Sequence, residues 1–370
     1  MNRLSISLIL IFVSTVLFAQ TANETFSVSK SNGATTVKNQ CNTGTCWSFA
    51  TTSLVESQCL KKGMKDPNLS EMFTVRNIYI EKAKNYLLRQ GHTQFGEGGL
   101  GHDVIRAYGI YGAMPEDVYS GLINGEKMYD HQKMVAQLQQ YLDSILKIIP
   151  LPDGWLEGYT KILDDNMGVP PAKFTYNGKE YTPISFAKDV MKFNKEDYIS
   201  ITSFTDHPYF SSYVLQVPDN FSNESFYNLP LDQMLTVIKT AVNKGYTVSW
   251  DADVSNYGFL AGKGLALLLD RKVVKDSVNA DIKEDAWDVK KRQALYENLT
   301  TQDDHLMHIV GVEKSKSGKT FFIVKNSWGE VGPYKGYLNA SESYVAINTI
   351  SIVVPKAAIA PEILAKLKIK

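Results

Sequence analysis

The spacing of hydrophobic positions divides the chain into a helical first part and a strand-rich last part. Between residues 46 and 111, apolar residues recur at helical spacing, which is typical of helices with one buried face. In the last third, runs of Val, Ile and aromatic residues are bounded by Gly, Lys and Ser, which favours strands. The pattern predicts helices over 46–62, 70–90, 100–111, 129–148, 231–243 and 285–299, a strand over 198–204, and a short helix in the last ten residues.

These elements indicate an α+β fold with two lobes and a large insertion in the middle of the chain. We assign residues 37–120 to a helical lobe, 121–229 to an insertion, 230–356 to a β-rich lobe and 357–370 to a C-terminal helix. Residues 20–36 are polar and lack periodicity. We expect them to form an arm on the surface.

Residues 1–19 have the pattern of a secretory signal peptide. Arg3 precedes an apolar run over residues 4–18, and Ala19 offers a small residue for cleavage. The run is short for a bilayer core of roughly 30 Å, so removal is favoured over anchoring. We therefore expect a secreted or periplasmic protein with no stable membrane anchor.

Charge and cysteine content exclude several classes of function. Lys plus Arg and Asp plus Glu both number 39, so the formal charge is zero and the basic surface of a nucleic-acid-binding protein is not expected. Three cysteines are too few for a disulfide scaffold, and their spacing with His is not typical of structural zinc sites. We expect no metal, no organic cofactor and no nucleic-acid partner.

A candidate nucleophile, Cys46, lies at the first turn of a predicted helix. Unpaired backbone N–H groups and the positive end of the helix dipole favour a thiolate there, so the sequence predicts a lowered pKa of the Cys46 thiol. Gln40 can be brought back by a turn at Gly44, so that its amide and the N–H of Cys46 converge on one oxyanion. Taken alone, a cysteine before an apolar helix is more often a core residue.

A candidate base and its partner lie far along the chain. His305 precedes an apolar strand, and Asn326 lies at the end of the next one. An Asn side-chain carbonyl that accepts the ring N–H holds an imidazole without adding charge. His308 and Asp304 compete with this assignment. Because side chains alternate faces along a strand, neither is expected to share the face of His305.

Three separated motifs, Q-x5-C-W-S-F-A, D-H before a strand that ends in V-G, and K-N-S-W-G, resemble the papain-like cysteine peptidases. The resemblance covers about residues 37–125 and 246–354. The acidic-HLMHIVG form of the histidine strand, the wide separation of the motifs and the length are similar to the aminopeptidase C and bleomycin hydrolase branch. The resemblance implies a helical lobe facing an antiparallel, β-barrel-like lobe across a cleft.

The resemblance also implies roles for the residues that match its motifs. Cys46 would be the nucleophile, Gln40 the oxyanion-hole donor, His305 the proton carrier and Asn326 its orienting partner. Trp328 would shield the last hydrogen bond.

The glycine pair of the GEGGL segment resembles the family's substrate-binding strand. Through the backbone of Gly98 and Gly99, an extended substrate would pair as an added strand, since a side chain there would keep the peptide away. His308 is then expected in the core or at the sheet edge. The other four histidines have no convergent partners in the sequence and are expected at the surface: His92, His102, His131 and His207.

The sequence departs from the family at two points. Thr43 stands where papain-like enzymes usually have a disulfide-forming cysteine. A replacement bridge between Cys41 and Cys59 is not expected, because roughly 20 Å of predicted helix separates Cys46 from Cys59. Cys41 and Cys59 are therefore expected to be free thiols. The bleomycin hydrolase branch also continues past its terminal helix as an arm that presents an end carboxylate to the substrate amine. This sequence ends at Lys370, so either longer substrates pass through the cleft or another segment, such as part of the insertion, blocks it.

The expected function is that of an exported cysteine peptidase that hydrolyses peptides or unfolded proteins through a Cys-His-Asn triad and a thioester, in the manner of aminopeptidase C. Three alternatives remain open: an endopeptidase with an open cleft, transfer of the acyl group to an amine, and a peptide-binding module without catalysis. The oligomeric state is not predicted.

Overall fold

The computed structural model of the protein describes residues 26–369. The predicted signal peptide over residues 1–19 therefore lies outside the described residues, as do residues 20–25 of the predicted arm. Among the described helices, none is both long and apolar enough to cross a membrane.

Three helices form the first lobe: α1 (Cys46–Lys61), α2 (Glu71–Leu88) and α3 (Gly101–Tyr111). Their bounds agree with the predicted ranges to within about two residues. Residues 46–59 of α1 are all buried, because this helix lies between the other helices and the sheet. The start of α2 is fixed by Ser70, whose hydroxyl accepts a hydrogen bond from the Phe73 N–H at 3.0 Å.

The insertion contributes two long helices, one single-turn helix and several short strands. They are α4 (Gln132–Ile145), α5 (Trp155–Met167), β2 (Phe174–Tyr176), β3 (Lys179–Tyr181), α6 (Pro183–Ser185), β4 (Tyr198–Thr202), β5 (Ser212–Val214) and β6 (Ser225–Asn228). Buried side chains of α4 and α5 join the same hydrophobic cluster as α1 to α3. The insertion therefore shares the core of the first lobe, and α5, which the sequence pattern did not predict, is stabilised by that shared core.

The last third of the chain forms most of a large sheet and the helices that cover it. Its elements are α7 (Leu231–Asn243), β7 (Val248–Ala252), β8 (Phe259–Leu260), β9 (Leu265–Ala266), α8 (Val289–Glu297), β10 (His305–Lys314), β11 (Thr320–Lys325), β12 (Tyr337–Ser341), α9 (Glu342–Asn348), β13 (Thr349–Pro355) and α10 (Pro361–Lys366). A buried layer with α7, α9 and α10 covers one face of the sheet, and the helical lobe covers the other.

The strands follow the order β5-β6-β4-β13-β7-β10-β11-β12-β9-β8, with β1 (Ser27–Ser31) paired to β10. Most neighbours are antiparallel, whereas β4 with β6 and β9 with β12 are parallel. Within residues 26–369 the sheet stays open, with β5 and β8 at its two ends, so the lobe has the expected α+β composition without closing into a barrel.

Strand β1 lies in the segment for which no regular structure was predicted. All five of its residues are exposed, and it is held by backbone pairing with residues 311–314 of β10. A strand of this kind has no hydrophobic alternation, because its side chains do not face a core, and the sequence pattern therefore does not reveal it.

Candidate active site

The turn before α1 positions Cys46 as the first residue of that helix. The Thr43 hydroxyl donates to the Gln40 carbonyl at 2.8 Å and lies 2.6 Å from the Thr45 hydroxyl, so the turn is closed by its own side chains. Cys46 is 7% exposed. At the first position of a helix its N–H has no partner within the helix and remains a potential donor.

Gln40 ties this turn to the segment that carries Asn326. Its Nε2 donates to the Thr43 carbonyl at 2.7 Å, and its Oε1 accepts from the Ser327 hydroxyl at 2.6 Å. The backbone N–H of Gln40 also donates to the Ser327 carbonyl at 2.8 Å. A primary amide has two N–H groups. One is used by Thr43 and the other is left for the predicted oxyanion site.

His305, Asn326 and Trp328 form one stacked and hydrogen-bonded unit. His305 Nε2 lies 2.7 Å from Asn326 Oδ1, and Asn326 Oδ1 also accepts from the Ser327 N–H at 2.8 Å. The indole of Trp328 stacks on the imidazole with ring centroids 4.7 Å apart. Because the amide oxygen can only accept, the proton on this side of the ring is on Nε2, and Nδ1 is left to accept a proton from elsewhere.

The sulfur of Cys46 lies at the start of β10, where the backbone N–H of Leu306 donates a hydrogen bond to it. Leu306 directly follows His305, the first residue of that strand. Folding therefore brings the predicted nucleophile from one end of the chain to the same strand terminus as the predicted base.

Burial changes the acidity of both groups. It raises the pKa of the Cys46 thiol to about 12, and the negative charges of Asp219, Asp251 and Asp303 add to this effect. Burial likewise lowers the pKa of His305 to about 4, against the hydrogen bond to Asn326. The prediction of a lowered thiol pKa from the helix terminus alone is therefore wrong.

The difference has a simple physical cause. Loss of solvation and the charge of three carboxyl groups oppose the thiolate and outweigh the helix dipole, which favours it. Both shifts act against the charged forms, the thiolate of Cys46 and the imidazolium of His305.

The other polar residues near β10 have structural partners. His308 is 1% exposed and its Nδ1 lies 2.9 Å from the Ser53 hydroxyl, so it is a core histidine on the opposite strand face from His305. Asp304 is exposed and accepts from the N–H groups of Val254 and Ser255. Neither residue orients the imidazole of His305.

The expectation of surface positions was wrong for two of the remaining histidines. His102 is 8% exposed and His131 is 4% exposed. His131 Nδ1 lies 3.2 Å from the Tyr79 hydroxyl, and burial lowers its pKa to about 4.

The glycine pair lies against the start of α1, but part of its backbone is already occupied. A Cβ on Gly99 would lie 3.1 Å from the Trp47 ring, and Trp47 Nε1 donates to the Glu97 carbonyl at 3.0 Å. The Gly98 carbonyl accepts from Lys82. Pairing of this segment with a substrate strand stays a prediction. The Gly98 carbonyl is already used by Lys82 and is therefore less available to a substrate.

A buried charge network around Lys38, which the sequence analysis did not predict, lies next to the turn that carries Gln40. The ammonium of Lys38 lies 2.9 Å from Glu71 and 2.8 Å from Glu116, and also donates to the Leu69 carbonyl. Lys38 lies two residues before Gln40, so these contacts attach the start of the turn before α1 to α2. A lysine in a polar stretch gives no sequence signal of such burial.

The three cysteines all lie in the described part of the chain and are free thiols. Among residues 26–369 no group of three or more His, Cys, Asp and Glu side chains is arranged to hold a metal ion.

Comparison with known proteins places this geometry in a family. The model of the Peptidase C1-like family matches residues 104–370, which is more than half of the chain, and that of the papain family of cysteine proteases matches residues 22–76. The two matches together include both ends of the candidate site.

Curated relatives cover most of the chain at low identity. Aminopeptidase G of Lactobacillus delbrueckii subsp. lactis is 24% identical over 86% of this chain and 80% of its own length. Aminopeptidase C of Streptococcus thermophilus is 24% identical over 89% of this chain and 82% of its own length. Bleomycin hydrolase of Mus musculus is 22% identical over 90% and 82%, respectively.

A solved structure supports the fold. The crystal structure of PepW from Lactobacillus rhamnosis superposes with a TM-score of 0.71 at 20% identity and covers 92% of this chain and 84% of that one. The predictions of a papain-like α+β fold and of a thiol hydrolase are thus confirmed. The chain belongs to the Peptidase C1-like family and is a papain-type cysteine peptidase.

Proposed function

We propose that the protein is an exported aminopeptidase that hydrolyses peptide bonds with Cys46, His305 and Asn326 as its catalytic triad. The observation that carries the triad is the 2.7 Å contact between His305 Nε2 and Asn326 Oδ1 beside a strand terminus that also contacts the Cys46 sulfur. This arrangement leaves the opposite ring nitrogen of His305 for the thiol proton.

In the first half-reaction, His305 Nδ1 takes the proton of the Cys46 thiol while the sulfur attacks the peptide carbonyl carbon. The carbonyl oxygen takes up the electron pair of its π-bond and is stabilised by the Cys46 N–H and the free N–H of Gln40. When this intermediate collapses, the C–N bond breaks and His305 returns the proton to the leaving amine. The acyl group then remains on Cys46 as a thioester.

In the second half-reaction, His305 takes a proton from water and the hydroxide oxygen attacks the thioester carbon. The S–C bond breaks, the acid leaves and the proton returns to the sulfur. Burial disfavours both a free Cys46 thiolate and a free His305 imidazolium. We therefore expect the proton to leave the thiol as the sulfur attacks the carbonyl carbon, because the negative charge then passes from the sulfur to the stabilised oxyanion.

The aminopeptidase mode is supported by the relatives, most of which carry that activity in their names. An open cleft would instead give an endopeptidase. Mass spectrometry of products from one peptide, offered free and N-acetylated, separates the two. Stepwise loss from the free end alone supports the aminopeptidase, whereas internal cuts in both forms contradict it.

The triad is tested by replacing Cys46 with Ala. Loss of peptide cleavage is expected, whereas Cys41→Ala, at a half-buried cysteine outside the proposed triad, is expected to cleave as the parent does. Cleavage by Cys46→Ala at the parental rate would refute the mechanism, because hydrolysis and acyl transfer both require the Cys46 sulfur. Adding an amine acceptor to the parent reaction and finding amide products in place of acids would favour acyl transfer.

Export is tested by sequencing the amino terminus of the protein recovered outside the cytoplasm. A mature chain that begins at Gln20 supports the proposed signal peptide. An unprocessed chain in the cytoplasm contradicts it.

A further inference from the structure

Three carboxyl groups, those of Asp219, Asp251 and Asp303, act on the Cys46 thiol. Asp251 lies on β7 directly opposite Leu306, the residue whose N–H contacts the Cys46 sulfur. Asp303 lies two residues before His305, and its carboxylate accepts a hydrogen bond from the backbone N–H of Asp219. Asp219 belongs to the insertion. Two lobes and the insertion thus meet at one anionic spot beside the proposed nucleophile.

Asp219 covers the glycine pair that was predicted to bind substrate. A Cβ on Gly98 would lie 2.1 Å from Oδ2 and 2.2 Å from Oδ1 of Asp219, so the carboxylate rests directly on the glycine backbone. A peptide that runs along Gly98 and Gly99 toward Cys46 would end against this carboxylate.

The loop that carries Asp219 is held from several sides. The Asn220 side chain donates to the carbonyls of Leu215 and Glu224 at 2.9 Å each, which closes the loop. Asn85 of α2 donates to the Phe221 carbonyl at 3.1 Å. A carboxylate on a loop fixed in this way is already placed before a ligand arrives, which favours recognition.

Two buried carboxyl oxygens in the cluster, Asp251 Oδ1 and Asp303 Oδ2, receive no hydrogen bond from any backbone N–H or from any amide, hydroxyl or ammonium group of residues 26–369. Asp251 is 1% exposed, and its Oδ2 accepts from the Ser351 hydroxyl at 3.1 Å. The carboxyl groups of Asp251 and Asp303 interact with each other, and the O–H of one, when protonated, can donate to the other. This agrees with the raised pKa of Asp251 and with a pKa of about 7 for Asp303, both due first to burial.

One lysine does not neutralise this cluster. Lys82 faces Asp219 and donates to the carbonyls of Gly96 and Gly98. Asp103 and Glu97 also act on this ammonium, so its single positive charge is not reserved for Asp219. An added ammonium group would compensate the cluster, whereas a grouping suited to a metal ion does not occur among residues 26–369.

We infer that Asp219, together with Asp251 and Asp303, binds the protonated amino terminus of the peptide substrate. The insertion, through Asp219, then limits the cleft to peptides with a free amino terminus. The inference rests on the proposed peptidase function and adds the residues that set its mode. The ammonium donates charge-assisted hydrogen bonds to the carboxylates, and its positive charge reduces their repulsion of the developing thiolate.

Asp219→Asn tests the assignment because it keeps the shape and removes the charge. The substrate is a mixture of pentapeptides that differ in their first two residues, supplied free and N-acetylated. In the parent, kcat/KM for the free form is expected to exceed that for the acetylated form by at least about 100-fold. In Asp219→Asn this ratio is expected to fall by about 10- to 150-fold, the range for a hydrogen bond to a charged group, through a raised KM for the free peptides.

Asp189→Asn is the matched control, since Asp189 is an exposed carboxylate elsewhere in the insertion. It is expected to keep the parental ratio. An Asp219→Asn protein with the parental ratio would overturn the inference and leave the proposed aminopeptidase standing. A parent that cleaves both forms equally would overturn the inference and the aminopeptidase mode together, with the cysteine peptidase still standing. A parent that cleaves neither form would refute the proposed function instead.

A binding measurement on the unaltered protein guards against a variant that fails to fold. A dipeptide amide with a free amine is expected to inhibit cleavage at a concentration at least about tenfold lower than its N-acetyl form does. Equal inhibition by the two compounds would overturn the assignment of the ammonium site.

Discussion

Removing the Asn326 side chain should slow catalysis without unfolding the protein. In the structure, Asn326 Oδ1 lies 2.7 Å from His305 Nε2, and both side chains are buried, at 6% and 4% exposure. In the proposed mechanism this bond holds Nδ1 toward the thiol and stabilises the imidazolium that forms when the thiol proton is transferred. Asn326→Ala removes both effects.

The size of the loss follows from the charge on the imidazolium. A hydrogen bond to a charged group contributes about 1.5–3 kcal/mol, and about 1.36 kcal/mol changes a rate tenfold. We therefore expect kcat/KM to fall by about 10- to 150-fold in Asn326→Ala. The assay is steady-state cleavage of a peptide with a free amino terminus, at several substrate concentrations.

Asn348→Ala provides the control. Asn348 is also a buried asparagine, 4% exposed, and its amide donates to the Tyr344 carbonyl at 3.2 Å, away from the imidazole. It should lose stability and keep kcat/KM. If Asn326→Ala stayed within about threefold of the parent, an orienting role would be excluded. An NMR titration adds a second readout, because a carboxylate in Asn326→Asp should raise the pKa of His305 above its value of about 4.

Three further outcomes follow from the contacts of the site and core. Lys38→Met leaves the buried Glu71 carboxylate without its lysine, so the free energy of unfolding in urea should fall by about 3–5 kcal/mol. Lys161→Met, which removes an exposed ion pair, should change it by less than about 0.5 kcal/mol. Equal effects of the two substitutions would contradict a stabilising role of the Lys38 network. Below pH 6.5 the unfolded chain protonates His131, and the folded chain does so only near its pKa of about 4. Folding therefore loses stability as the pH falls, and His131→Gln should reduce the loss between pH 8 and pH 5 by about 2 kcal/mol in urea titrations, a parental loss being the contrary result. Trp328→Leu removes the ring stacked on His305 and should lower kcat/KM by about two- to tenfold, and unchanged kinetics would refute shielding.

The resemblance to the bleomycin hydrolase branch implies a substrate-binding carboxylate at the end of a C-terminal arm, whereas the inferred amine site uses carboxylates from other parts of the chain. The described C-terminal residues, through Ile369, pack in the hydrophobic layer with α7 on the far face of the sheet from the helical lobe. The carboxylate that rests on Gly98 comes from the insertion. Two different parts of a chain can thus present the same chemical group to a substrate amine.

The sequence by itself determined the elements that carry the site, because these depend on local patterns. Cys46 opens α1, His305 opens β10 and Asn326 follows β11, as the hydrophobic spacing and the motifs predicted. These positions depend on helix and strand periodicity and on the residues that end each element. All of these signals are local, since each lies within about a dozen consecutive residues.

Tertiary structure alone decided the electrostatics of the site and which segment lies against Gly98. The acidity of Cys46, the burial of His131 and the contact of Asp219 with Gly98 depend on which distant segments pack together, and residues 98 and 219 have no shared pattern along the chain. Desolvation and carboxylate repulsion act through space over a few ångströms, so they follow the packed structure rather than the order of residues.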